Sequence, residues 1–100
     1  MKDKIRMEKL LKSILLKYKI KDKIKVRFVK KTFYNHKGIK PLMGLNKNII
    51  LVYINNFPCK INKVKNEYLR KILKHELIHY LCANSPKVKE LRIINQLIDG

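Results

Sequence analysis

The five residues His75, Glu76, Leu77, Ile78 and His79 restrict how this chain can fold more than any others. Two imidazoles four residues apart lie one above the other on a helix, where they can close on one zinc ion and leave Glu76 to handle a proton. The neighbours keep the same period. Asn62 can cap a helix expected over residues 63–83, with Glu67 in its first turns. On that helix Tyr68, Ile72, His75, His79 and Cys82 share one stripe, and Leu69, Leu73, Leu77 and Tyr80 form an apolar flank. Arg70, Lys71 and Lys74 mark the solvent side, so the histidines are expected to face inward.

The remaining segments have to seat that helix. Residues 3–18 carry Ile5, Leu11, Ile14, Leu15 and Tyr18 at helical spacing, with lysines and Glu8 between them, which predicts an amphipathic helix. The period then falls to two. Ile24, Val26 and Phe28 alternate with Lys25, Arg27 and Val29, as in a strand with one buried face. Residues 30–37, holding Tyr34 and His36, read as a loop. A hairpin follows, with arms at residues 39–45 and 49–54 joined by Asn46, Lys47 and Asn48. Pro41 cannot donate to a ladder and Gly44 has no side chain, so the first arm belongs at a sheet edge, free to pair with an extended peptide. The continuously apolar second arm belongs inside the sheet. Asn84, Ser85 and Pro86 end the histidine helix and start another over residues 86–98, with Ser85 as N-cap and Pro86 at the first helical position.

A chain of 100 residues holds a single folding unit, residues 1–100. Its longest apolar run, residues 49–54, is far too short to cross a bilayer, and no cleavable apolar leader follows the charged N-terminus. No membrane partner and a cytoplasmic location are therefore expected. Cys59 and Cys82 make no C-x-x-C pair and are expected as reduced, buried thiols. The formal charge of +18, with 25 Lys and Arg against 7 acids, attracts acidic peptides and predicts nonspecific nucleic-acid binding at low salt. Specific recognition of nucleic acid is not indicated. The lysines mostly alternate with isoleucine and leucine, as on solvated faces, and no aromatic-interleaved stripe stands out.

Catalytic zinc needs a third protein ligand and an open position. After Tyr80 the side-chain carboxylates are those of Glu90 and Asp99. Glu90 shares a helical face with Ile93, Ile94 and Leu97, with Leu91 and Ile98 on one flank. A carboxylate buried there is costly unless a cation takes it up, which makes Glu90 the natural third ligand. Its competing role is a pairing with Lys87 at the helix start. The turn at residues 84–86 folds the last helix back antiparallel and puts Glu90 near the level of His79. Asp99, at the helix terminus, is the weaker donor. Cys82 shares the histidine face, but a helix rises about 10 Å between residues 75 and 82, too far for one ion to join all three side chains, so Cys82 reads as packing. His36 reads as a loop histidine.

The order helix, strand, edge strand, strand, H-E-x-x-H helix and glutamate helix resembles the gluzincin metallopeptidases. With its last two helices joined directly, the chain is similar to the minigluzincins over almost its whole length. That resemblance implies His75 and His79 as zinc ligands, Glu76 as general base and acid, Glu90 as the glutamate-helix ligand, and residues 42–45 as the rim strand that aligns a substrate. It also implies latency, with the C-terminal segment controlling the cleft. Two features depart from the family pattern. Many gluzincins carry an acidic residue four positions after the glutamate ligand to orient a zinc histidine; Ile94 stands there, leaving Asn95 or a backbone carbonyl for that task. No oxyanion stabiliser is marked, and Tyr34, His36, Tyr53 and Tyr80 are the candidates.

These readings predict an α+β domain: a small three-stranded sheet with an antiparallel hairpin, packed against about three helices. It is expected to hold one Zn2+ and to act as a latent or weakly active zinc metalloendopeptidase on peptide or protein substrates. The rival is a basic, nucleic-acid-associated protein whose zinc site is structural or vestigial, which a closed, water-free coordination sphere would favour. The short proline-containing hinge also predicts a homodimer by exchange of C-terminal helices, each zinc taking His75 and His79 from one chain and Glu90 from the other.

Overall fold

A ridge of leucines on the histidine helix anchors the core. The computed structural model describes residues 2–83 and 87–99. Helix α2 (Asn66–Ala83) buries Leu69, Leu73 and Leu77 completely and Leu81 nearly so. Their four-residue spacing puts them in one strip, and burying each contributes roughly 1.5–3 kcal/mol. Against α2 lies α1 (Lys2–Lys17), which buries Met7, Leu10, Leu11 and Ile14. Ile5, expected in that stripe, is exposed because it sits about 160° around the helix from Met7. Lys19 ends α1 in the left-handed region at φ 56°, while the Lys19 and Ile20 N–H groups donate back to the Leu16 and Leu15 carbonyls. This is a Schellman cap with lysine where glycine is usual.

The sheet has strands β1 (Lys25–Val29), β2 (Met43–Asn46) and β3 (Ile49–Tyr53) in the order β1-β3-β2. β3 pairs parallel with β1 and antiparallel with β2, in a register that sets Val26 beside Ile50 and Met43 beside Val52. The expected hairpin is present. Its apolar arm is central, with Ile50 and Val52 fully buried, and its Gly44 arm is the edge. The edge arm is shorter than expected, starting at Met43: Leu42 still accepts from the Tyr53 N–H, but the Pro41 carbonyl and the Ile39 N–H pair with the Asn56 and Asn35 side chains instead of the sheet. Asn56 Nδ2 donates to the Phe33 and Pro41 carbonyls at 3.0 and 2.8 Å, and the Asn55 amide donates to the Lys30 carbonyl. Asn35 Oδ1 accepts from the Lys37 and Ile39 N–H groups, folding the middle of this loop on itself with Gly38 at φ 74°.

α2 begins at Asn66, not at residue 63. Residues Ile61–Lys63 form a separate 3-10 turn and Val64 is extended, so Asn62 does not cap the helix. Arg6 of α1 holds this break open: its guanidinium donates to the Ile61 carbonyl at 3.2 Å, to the Val64 carbonyl, and to Asn66 Oδ1 at 2.8 Å. α3 (Val88–Asp99) packs Ile93, Ile94 and Leu97 inward and contacts α2 of its own chain. The hinge residues Asn84, Ser85 and Pro86 lie outside the described residues, as does the start expected for this helix. Cys59 and Cys82 are free thiols, but both are exposed, correcting the expectation of burial. Among the described residues no helix is long and apolar enough to cross a membrane.

Candidate metal centre

The leucine ridge decides which way the histidines point. With Leu69, Leu73 and Leu77 turned fully into the core, His75 and His79 fall on the adjoining strip and are exposed, a correction to the inward orientation expected of them. Tyr68 and Cys82, on the same strip, are exposed too, so Cys82 does not serve as core packing. The two rings stand edge to face, 86° apart in plane, and their Nε2 atoms approach to 3.0 Å. At that distance one ring's Nε2–H can donate to the other's Nε2, and a cation can take the place of that hydrogen. A tetrahedral zinc with bonds of about 2.0–2.1 Å holds its imidazole nitrogens about 3.3 Å apart. The pair fits such an ion with a small adjustment.

Glu76 occupies the edge of the buried strip, 7 % exposed, and is the buried charged residue of the core. Burial pushes its carboxyl above the ordinary value, and the neighbouring His75 and His79 pull it partly back. The field of Glu76 reaches Tyr53 at the end of β3, whose phenol is raised first by burial and then by that carboxylate. Tyr53 stacks on Phe33 with centroids 4.8 Å apart and lies over Gly44, where a Cβ would come within 3.1 Å of the phenol oxygen. Among the oxyanion candidates, Tyr53 feels the Glu76 carboxylate in this way. Tyr80 donates to Asp22 at 2.7 Å, a bond that raises its phenol more than burial does. Tyr34 carries Lys40 over its ring, and His36 is an exposed residue of the 30–42 loop.

Glu90 is placed elsewhere. It lines a small cavity with Leu81, Ile93 and residues 19–22, and its Oε2 is buried without a hydrogen-bond partner among the described residues, so Lys87 does not satisfy that atom. Among the described residues no three His, Cys, Asp or Glu side chains converge as a metal-holding group. The structure therefore brings together two of the three expected donors with Glu76, and not the third. Asp99 and Asn95 are exposed on α3, and Ile94 is buried.

Sequence reading missed Asp22 as the partner of Tyr80, Arg6 as the clamp before α2, and the groove that Arg70 and Lys71 help to line beside His75. Each depends on contacts between residues distant in sequence. Arg6 left one signal, a lone arginine among the lysines of α1, since its planar fork suits several carbonyls at once. Comparison with known proteins finds no matching family model, no similar curated protein and no similar solved structure.

Proposed function

We propose that the chain is a zinc-dependent peptidase of the minigluzincin type, with His75 and His79 as the ligands of α2 and Glu76 as the proton carrier. The observation that carries this reading is the 3.0 Å convergence of the two Nε2 atoms next to a buried carboxylate. The exposure of both imidazoles supports a site that a substrate can reach, whereas structural zinc is normally enclosed by four protein ligands. Bound at this pair, zinc would supply Lewis acidity toward a peptide carbonyl and an attacking water. Glu76 takes the proton that the water loses as its oxygen bonds to the carbonyl carbon, then delivers it to the amine nitrogen as the C–N bond breaks. A carboxyl raised by burial is suited to both halves of that transfer. Tyr53, kept protonated, is the candidate donor to the carbonyl oxygen.

Glu90, which the present docking of α3 leaves away from the imidazole pair, is proposed as the third ligand after a shift of that helix. Its orphaned Oε2 supports this, because a buried carboxylate oxygen without a donor is stabilised by any cation that reaches it. The test is metal analysis of the purified chain and four variants, with peptide cleavage followed by chromatography. His75→Ala and His79→Ala should lose zinc, Glu90→Ala should bind it at least tenfold more weakly, and Glu76→Gln should keep it without cleaving. Undiminished zinc in both histidine variants would sink the assignment.

A further inference from the structure

A groove of about 740 Å³ runs along the outer face of α2, and the last turn of α3 ends on it. Tyr68, Lys71, His75 and Ile78 line it at intervals of three, four and three residues, so it follows a single strip of the helix that includes one of the proposed zinc ligands. That strip is about 15 Å long, the span of about four or five extended residues.

Two properties of the groove bear on what it can hold. Its apolar lining is open: Tyr68 and Ile98 are 50 % and 63 % exposed beside half-buried Ile78 and buried Leu97. Apolar side chains in an open groove rimmed by charge offer another molecule contacts of both kinds. Its charged lining is Lys65, Arg70, Lys71 and Lys74 against the single carboxylate of Glu67. An occupant must therefore bring negative charge and aliphatic side chains together. Nucleic acid supplies the charge but would find only Tyr68 and the His75 ring to stack on, and it has no use for the isoleucine and leucine beside them. A peptide supplies both.

We propose that this groove holds the part of a substrate on one side of the scissile bond, selecting extended segments of four or five residues that mix carboxylates with aliphatic side chains. The proposal rests on the peptidase reading for what happens at the His75 end, but the binding itself needs neither zinc nor turnover. It can be measured by fluorescence polarisation on the zinc-free Glu76→Gln chain, with a labelled peptide of Glu, Leu and Ala, its Lys-for-Glu counterpart, and a labelled ten-nucleotide oligothymidylate. The acidic peptide should bind at least tenfold more tightly than the basic one. Adding Arg70→Glu with Lys71→Glu should weaken it at least tenfold, and Ile98→Asp severalfold. Lys4→Glu with Lys12→Glu, an equal charge change on exposed positions of α1, should weaken it less than twofold. Equal losses from the two charge pairs would overturn the proposal in favour of the general field of the protein. Oligothymidylate binding that alone responds to the groove variants would overturn it in favour of nucleic acid. If the groove result holds while zinc and cleavage fail in the metal experiment, the peptidase reading falls and the peptide site stands.

Discussion

The imidazole pair sits on one continuous helix and Glu90 on another, and different forces fix the two regions. His75 and His79 meet because the helical repeat brings every fourth residue together, and the fully buried leucines on the adjoining strip hold that helix still. Glu90 lies where the docking of α3 puts it, and that docking depends on the short face of Ile93, Ile94 and Leu97. The proposed donors within α2 are as rigid as the helix, whereas the proposed donor on α3 is only as well placed as the packing beneath it. On that proposal the site can be assembled or dismantled by moving a single element.

The largest effect expected from this contrast is all or none. If docking alone decides where Glu90 goes, a second chain can supply it. Refolding a His75→Ala/His79→Ala chain together with a Glu90→Ala chain should then restore tight zinc binding that neither shows alone, with a dimer seen by light scattering. Zinc-free mixtures of monomers would confine α3 to its own chain. Next in size, Leu73→Ala should cost roughly 2–5 kcal/mol in urea unfolding of the metal-free protein, whereas His79→Ala should stay within about 0.5 kcal/mol. Equal losses would mean that the imidazoles belong to the core after all.

Glu90→Leu sharpens the contrast from the other side. It removes a buried oxygen that has no partner among the described residues and should stabilise the metal-free chain by roughly 1–3 kcal/mol while weakening zinc binding. A loss of stability would show that Glu90 is satisfied where it lies. The smallest expected effect is at Lys19, which closes α1 at φ 56° and lines the cavity of Glu90. Lys19→Gly should raise the melting temperature, with a gain of about 1 kcal/mol, and leave zinc affinity unchanged. A drop in stability would place the value of Lys19 in its side chain.

What was legible in the sequence is what short-range periodicity encodes. The α2 pattern brought the two histidines and Glu76 together, the change of period at residue 24 marked β1, and Pro41 and Gly44 put the first hairpin arm at the edge of the sheet. These follow from local backbone geometry, which a few neighbouring residues determine. The start of α2 was not legible, because Arg6, some sixty residues away, holds the preceding turn open. Nor was the direction of the histidines, since two apolar strips competed on α2 and the one facing α1 and the sheet took the core. The place of Glu90 and the opening of the groove beside His75 were likewise decided only by how α3 packs. Burial is a property of the partner surface as much as of the strip itself, and only the tertiary structure supplies the partner.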